Sequence, residues 1–125
     1  MAPVPEAVSV TAPVAPVTGC EAVKREIDKY TDWNQSIMFA IAQAENSACD
    51  PVNHNLTSSE THYNGKGEVI CVGSYGVLQV GCLHYRDGEN PDDLATNVSV
   101  AHRVWAGSGY TAWTMYKNGR YQKFL

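Results

Sequence analysis

Two stretches carry residue types that could work together. Residues 37–47 read IMFAIAQAENS, an apolar run that delivers one acid, Glu45, at its end. Residues 73–80 read GSYGVLQV, with one amide, Gln79, among small and apolar side chains. A carboxyl group at a helix C-terminus sits against the negative end of the dipole, and apolar neighbours desolvate it. Both effects favour the neutral acid and raise the pKa towards what a general acid needs near neutral pH. The bland alternative is a solvated glutamate at a helix end. Glycines at 73, 76 and 81 let backbone approach a ligand closely, and Gln79 can bond a sugar hydroxyl or N-acetyl group without adding charge. Its alternative is a strand-edge amide facing water. Near the C-terminus, Trp113 and Tyr116 offer flat rings of the kind that stack on pyranose faces, whereas Trp33 and Trp105 read as core. Together these residues suit acid-catalysed cleavage of a glycosidic bond.

Other chemistries find less support. His54, His62, His84 and His102 show no metal-ligand spacing and read as surface or hydrogen-bonded histidines. No serine stands in a nucleophile elbow, no cysteine has an evident paired base, and no loop is built to cradle phosphate. No cofactor or metal is therefore expected. A net charge of −4 argues against a nucleic-acid partner, which calls for a basic face to displace counterions. It also means that binding to an anionic polymer must rest on local contacts.

The elements that would position these residues follow from periodicity. Val23, Ile27 and Tyr30 at helical spacing predict a first helix over 21–30, and the run over 35–46 predicts a second, with Ile37, Met38, Ile41 and Ala44 inward. Residues 68–72 and 74–80 read as short strands, with Asn64-Gly65 as a turn signal before them. Asn90-Pro91-Asp92-Asp93 predicts the start of a third helix that Gly107 ends, and residues 110–116 a short final one. The order predicts an α+β domain with two lobes and a groove between them.

Four cysteines without a CxxC pair point to two disulfides in an oxidising compartment. Three pairings are open; Cys49–Cys71 with Cys20–Cys82 is preferred, because the first would tie the acid-bearing helix to the hairpin opposite. Residues 1–19 are rich in Pro, Ala and Val and lack a basic start, so they read as a linker or a remnant rather than a signal peptide. Residues 20–125 form the expected single domain. Val17-Thr18-Gly19-Cys20 has the form of a lipoprotein cleavage box, but four prolines break the apolar segment it requires. No apolar run of membrane-spanning length is present, so no membrane insertion is expected.

Three blocks give the chain a family likeness. AIAQAENS resembles the catalytic-glutamate block of the lysozyme-like superfamily, in particular of lytic transglycosylase domains similar to glycoside hydrolase family 23. GSYGVLQV resembles its Gly-x-x-Gln block through Gly76 and Gln79, and Asn97 with the following TAWTMYKNG is similar to its closing blocks. The departures are Asn46 where the family usually has Ser, and Ala112-Trp113-Thr114 in place of Ala-Tyr-Asn. The resemblance implies a lysozyme-like fold and cleavage of the β-1,4 bond between MurNAc and GlcNAc in peptidoglycan, with Glu45 as acid and base. Gln79, Tyr75, Gly76, Trp113, Tyr116 and Asn97 would position the glycan. The stretch between Glu45 and Gln79 is long, as in true lysozymes, which place a second carboxylate there; Glu60 is the first candidate, followed by Glu68 and Asp87. With one carboxyl group the product is a 1,6-anhydro sugar, and with two it is a hydrolysed one. The expected protein is a monomer tethered to other domains, secreted or in the cell envelope, or carried on a phage particle. A non-catalytic module that binds peptidoglycan or chitin on the same architecture is the rival reading.

Overall fold

The computed structural model describes residues 18–125, so most of the predicted N-terminal linker lies outside the described residues. Helix α1 spans Gly19–Asp28 and α2 spans Gln35–Glu45. Five short strands follow: β1 His54–Asn55, β2 Thr61–Tyr63, β3 Val69–Val72, β4 Ser74–Tyr75 and β5 Val80–Gly81. Helix α3, Leu94–Ser108, and the one-turn α4, Thr114–Lys117, complete the regular structure, with 3-10 turns at Ser58–Glu60, Cys82–His84, Tyr110–Ala112 and Arg120–Phe124. With 50% of these residues helical and 12% in strands, the class is α+β.

The apolar spacing accounts for the helices. Val23 and Ile27 of α1, Met38 and Ile41 of α2, and Val98 and Ala101 of α3 meet in one core that also takes in Val77, Leu78 and Trp113. Asn34 caps α2 by accepting from the Ile37 N–H at 3.0 Å. Helix α3 starts later than Asn90-Pro91 suggests, because Asp93 accepts from the Thr96 N–H at 3.0 Å while Asn90 accepts from Asp92 in its own tight turn. It also runs past Gly107, ending at Gly109 with φ 71°. The predicted final helix is broken at Trp113, whose extended backbone sends the indole into the core, where Nε1 donates to the Leu78 carbonyl at 2.8 Å.

The β region departs most from expectation. Residues 74–80 are not one strand: β4 and β5 pair antiparallel, with a tight turn over 76–79 between them. Gly76 at φ 78° and Gln79 at φ 47° make that reversal possible. Strand β1 adds to the other side of β4, and β2 and β3 form a separate two-stranded ribbon. The preferred cysteine pairing is also wrong. The bridges are Cys20–Cys49, which holds the start of α1 to the loop after α2, and Cys71–Cys82, which holds the ribbon to the segment after β5.

Asn97, on the buried face of α3, fixes the β4–β5 turn. It is 1% exposed; its Oδ1 accepts from the Leu78 N–H at 3.1 Å, and its Nδ2 donates to the Tyr75 carbonyl at 2.8 Å and the Tyr85 hydroxyl at 2.6 Å. Gly76 lies against this amide so closely that a Cβ there would stand 2.5 Å from Asn97 Nδ2. Removing the carboxamide strands a buried N–H and a buried C=O, each costing about 1–3 kcal/mol. Asn97→Ala is therefore expected to lower stability by roughly 2–4 kcal/mol, read as a lower urea midpoint with an unchanged slope.

Candidate active site

The last residue of α2 carries the acid. Helix α2 is packed between α1, α4 and the C-terminal 3-10 turn. Its end at Glu45 is set by Asn46, whose extended backbone leaves the helix and whose buried side chain donates to the Asp50 carbonyl at 2.7 Å. The Glu45 carboxyl opens into a groove of about 290 Å³ that also reaches Glu60, Gln79 and Trp113. No described residue donates a hydrogen bond to it. Its pKa is pushed up to about 7, first by burial and then by the negative charge of Glu60. A carboxyl group in this state is about half protonated at pH 7.

Glu60 borders the same groove from the β region. The 3-10 turn Ser58–Glu60 leads into β2, and the Glu60 carbonyl accepts from the Gly73 N–H at 2.9 Å. Its carboxylate accepts from the Ser74 hydroxyl at 2.6 Å. Ser74 belongs to a row across the three-stranded sheet, Asn55–Ser74–Gly81, that forms part of the groove wall. Two carboxyl groups thus share one groove in different surroundings. One is desolvated and without a donor; the other is held by a hydroxyl.

Gln79 also lines the groove. Its Nε2 donates to the Gly76 and Asn53 carbonyls at 2.9 and 3.2 Å, leaving the carboxamide oxygen as the acceptor for a ligand. Trp113 borders the groove too, but at 4% exposure it is a floor tied into the core rather than a free stacking platform. Four other expected contacts are not part of the groove lining. Tyr75 donates its hydroxyl to the Val72 carbonyl and packs on His54 and Tyr85. Gly76 and Asn97 lie beneath the turn as described, and Tyr116 is stacked between Tyr110 and Tyr121. Of the other acids, Glu68 accepts from Asn64 at the far end of the ribbon, and neither it nor Asp87 borders the groove.

Three further polar residues, not singled out from the sequence as site residues, border the groove. His62 and His84 approach Gly81 from two sides, and the buried Nε2 of His62 has no hydrogen-bond partner. His62 lies in β2 two residues after Glu60, which ends the 3-10 turn before it, and both border the groove. Ser74 is the third, hidden because the partner it bonds lies 14 residues away. His54 and His102 instead pair with Asp92 and Asp32 at the surface. Among the described residues no cluster of three or more His, Cys, Asp or Glu is arranged to hold a metal ion.

Compared with known proteins, the chain matches no family model, no curated protein and no solved structure.

Burial of Glu45 carries a stability signature whose sign follows from its direction. The folded state binds the proton more tightly than the unfolded chain, so between the ordinary 4.5 and about 7 stability falls as pH rises. Glu45→Gln removes that dependence. The variant is expected to match the native protein near pH 4 and to exceed it in stability by roughly 3 kcal/mol above pH 8, checked by urea unfolding across the range.

Proposed function

We propose that the chain is a peptidoglycan-cleaving enzyme of lysozyme-like architecture that cuts the β-1,4 bond between MurNAc and GlcNAc. The observation that carries this reading is the acid with pKa about 7 at the end of α2, open to a groove that holds a second carboxylate. The three sequence blocks support the choice of substrate, since Glu45 and Gln79 both border that groove. The two disulfides, and the absence of any helix among the described residues long and apolar enough to cross a membrane, support a secreted or envelope location.

In this reading the neutral Glu45 gives its proton to the glycosidic oxygen as the bond from C1 breaks, and the bonding electron pair stays on that oxygen. A lone carboxylate would then take the proton of the sugar's own 6-hydroxyl and close an anhydro ring. Glu60 in the same groove supports the other outcome: its carboxylate receives a proton from water as the water oxygen bonds to C1. The sum is addition of one water across the bond, the reaction of a muramidase.

Purified cell walls are expected to lose turbidity with the native protein. Glu45→Gln should slow that loss by about 100-fold or more, the range that general acid catalysis supplies. A variant as fast as the native protein refutes the assignment, and wall pull-down with no soluble product identifies a binding module instead. Because the acid must be protonated, kcat/KM is expected to fall about tenfold per pH unit above about 7. Mass spectrometry of the digest should show hydrolysed muropeptides, one water heavier than anhydro products.

A further inference from the structure

Glu60 is fixed by two consecutive residues of another strand segment. The Gly73 N–H holds its carbonyl, and the Ser74 hydroxyl holds carboxylate oxygen Oε2 at 2.6 Å. Gly73 can do this only as glycine: its φ is 115°, and a Cβ would stand 2.7 Å from the Tyr75 ring and 2.8 Å from Leu56. Ser74 is 5% exposed, and its strand pairs with Asn55 on one side and Gly81 on the other, so the hydroxyl projects from a point fixed on both flanks. The Cys71–Cys82 bridge holds β3, which pairs with the strand after Glu60, to the residue that follows β5. A surface ion pair would not call for this much fixation.

We infer that Ser74 is a positioning residue, whose hydroxyl orients the Glu60 carboxylate so that its second oxygen, Oε1, meets the attacking water. The inference rests on the muramidase reading above. A hydroxyl that donates to Oε2 fixes the rotation of the carboxylate, which has only broad intrinsic preferences about its terminal torsion. Oε1 is then left to take the water proton as the new C1–O bond forms, while the proton of Glu45 goes to the leaving oxygen. Glu45, which receives no such donor, is left as the acid. Ser74 touches neither substrate nor water in this scheme and acts through Glu60 alone.

The test is a double-mutant cycle on soluble, uncrosslinked glycan strands, with kcat, KM and product mass measured for the native protein, Ser74→Ala, Glu60→Gln and the double variant. Ser74→Ala is expected to lower kcat by roughly 10- to 100-fold with KM within twofold, the scale of a catalytic group slightly misplaced. In the Glu60→Gln background the same change should add no further loss, and Ser74→Thr, which keeps the hydroxyl, should recover most of the rate. A merely structural serine would slow both backgrounds alike; losses that multiply, or a Ser74→Ala enzyme at native rate, overturn the inference. Should Ser74→Ala unfold, Ser74→Cys keeps the size with a weak donor: kcat lost with KM kept supports the inference, and native kcat overturns it. A native protein that releases no product at all refutes the muramidase reading itself. An active native protein whose rate ignores Glu60→Gln leaves Glu45 as acid and removes only the role of Ser74.

Discussion

The side chain of Asn97 reaches from the core face of α3 into the turn between β4 and β5, and there it replaces the main-chain partners that the turn lacks. Its oxygen takes the Leu78 N–H, and its nitrogen serves the Tyr75 carbonyl. Three features of the groove depend on that arrangement. Leu78, held on one side, offers its carbonyl to the Trp113 indole and so sets the floor. Gln79 is the next residue and is turned towards the groove in a left-handed conformation that few side chains adopt. The strands on either side of the turn carry Ser74 and Gly81, opposite one another in register. A buried amide is costly without partners. Here its bonds tie the helical core to the β region.

The two carboxyl groups sit in different surroundings. Burial alone disfavours the anion of Glu45, and the charge on Glu60 adds to the effect. Glu60 instead has a hydroxyl donor, and a hydrogen bond to a charged acceptor is about twice as strong as a neutral one. The difference comes from which end of which element each occupies: a helix terminus facing apolar side chains for one, a strand start against a polar strand for the other.

Much of the helical half was legible in the sequence, because helices α1 to α3 advertise themselves by apolar spacing and Glu45 closes such a run. The α+β class follows from the same pattern. Less of the β half could be read. A stretch as short and glycine-rich as GSYGVLQV has too few alternating positions to separate a strand from a hairpin, and the turn depends on Asn97, 18 residues after Gln79 in sequence but adjacent in space. The tethering of Glu60 and the approach of His62 are likewise long-range. For Tyr75 and Tyr116 the reason differs: an aromatic type says that a ring will be packed, not whether its neighbours are sugars or other aromatic rings. Cysteine pairing is set by the fold and cannot be counted from spacing.

The bridges end up local. Cys20–Cys49 encloses the helices that carry the acid, and Cys71–Cys82 encloses the segment that carries Ser74 and Gln79. In the chain-entropy account such closed loops contribute on the order of 3 kcal/mol each. Neither disulfide therefore crosses from the Glu45 side to the Glu60 side. The placement of Glu45 relative to Glu60 therefore rests on packing and on hydrogen bonds such as those of Asn97, a seam that can give where a sulfur tether would not.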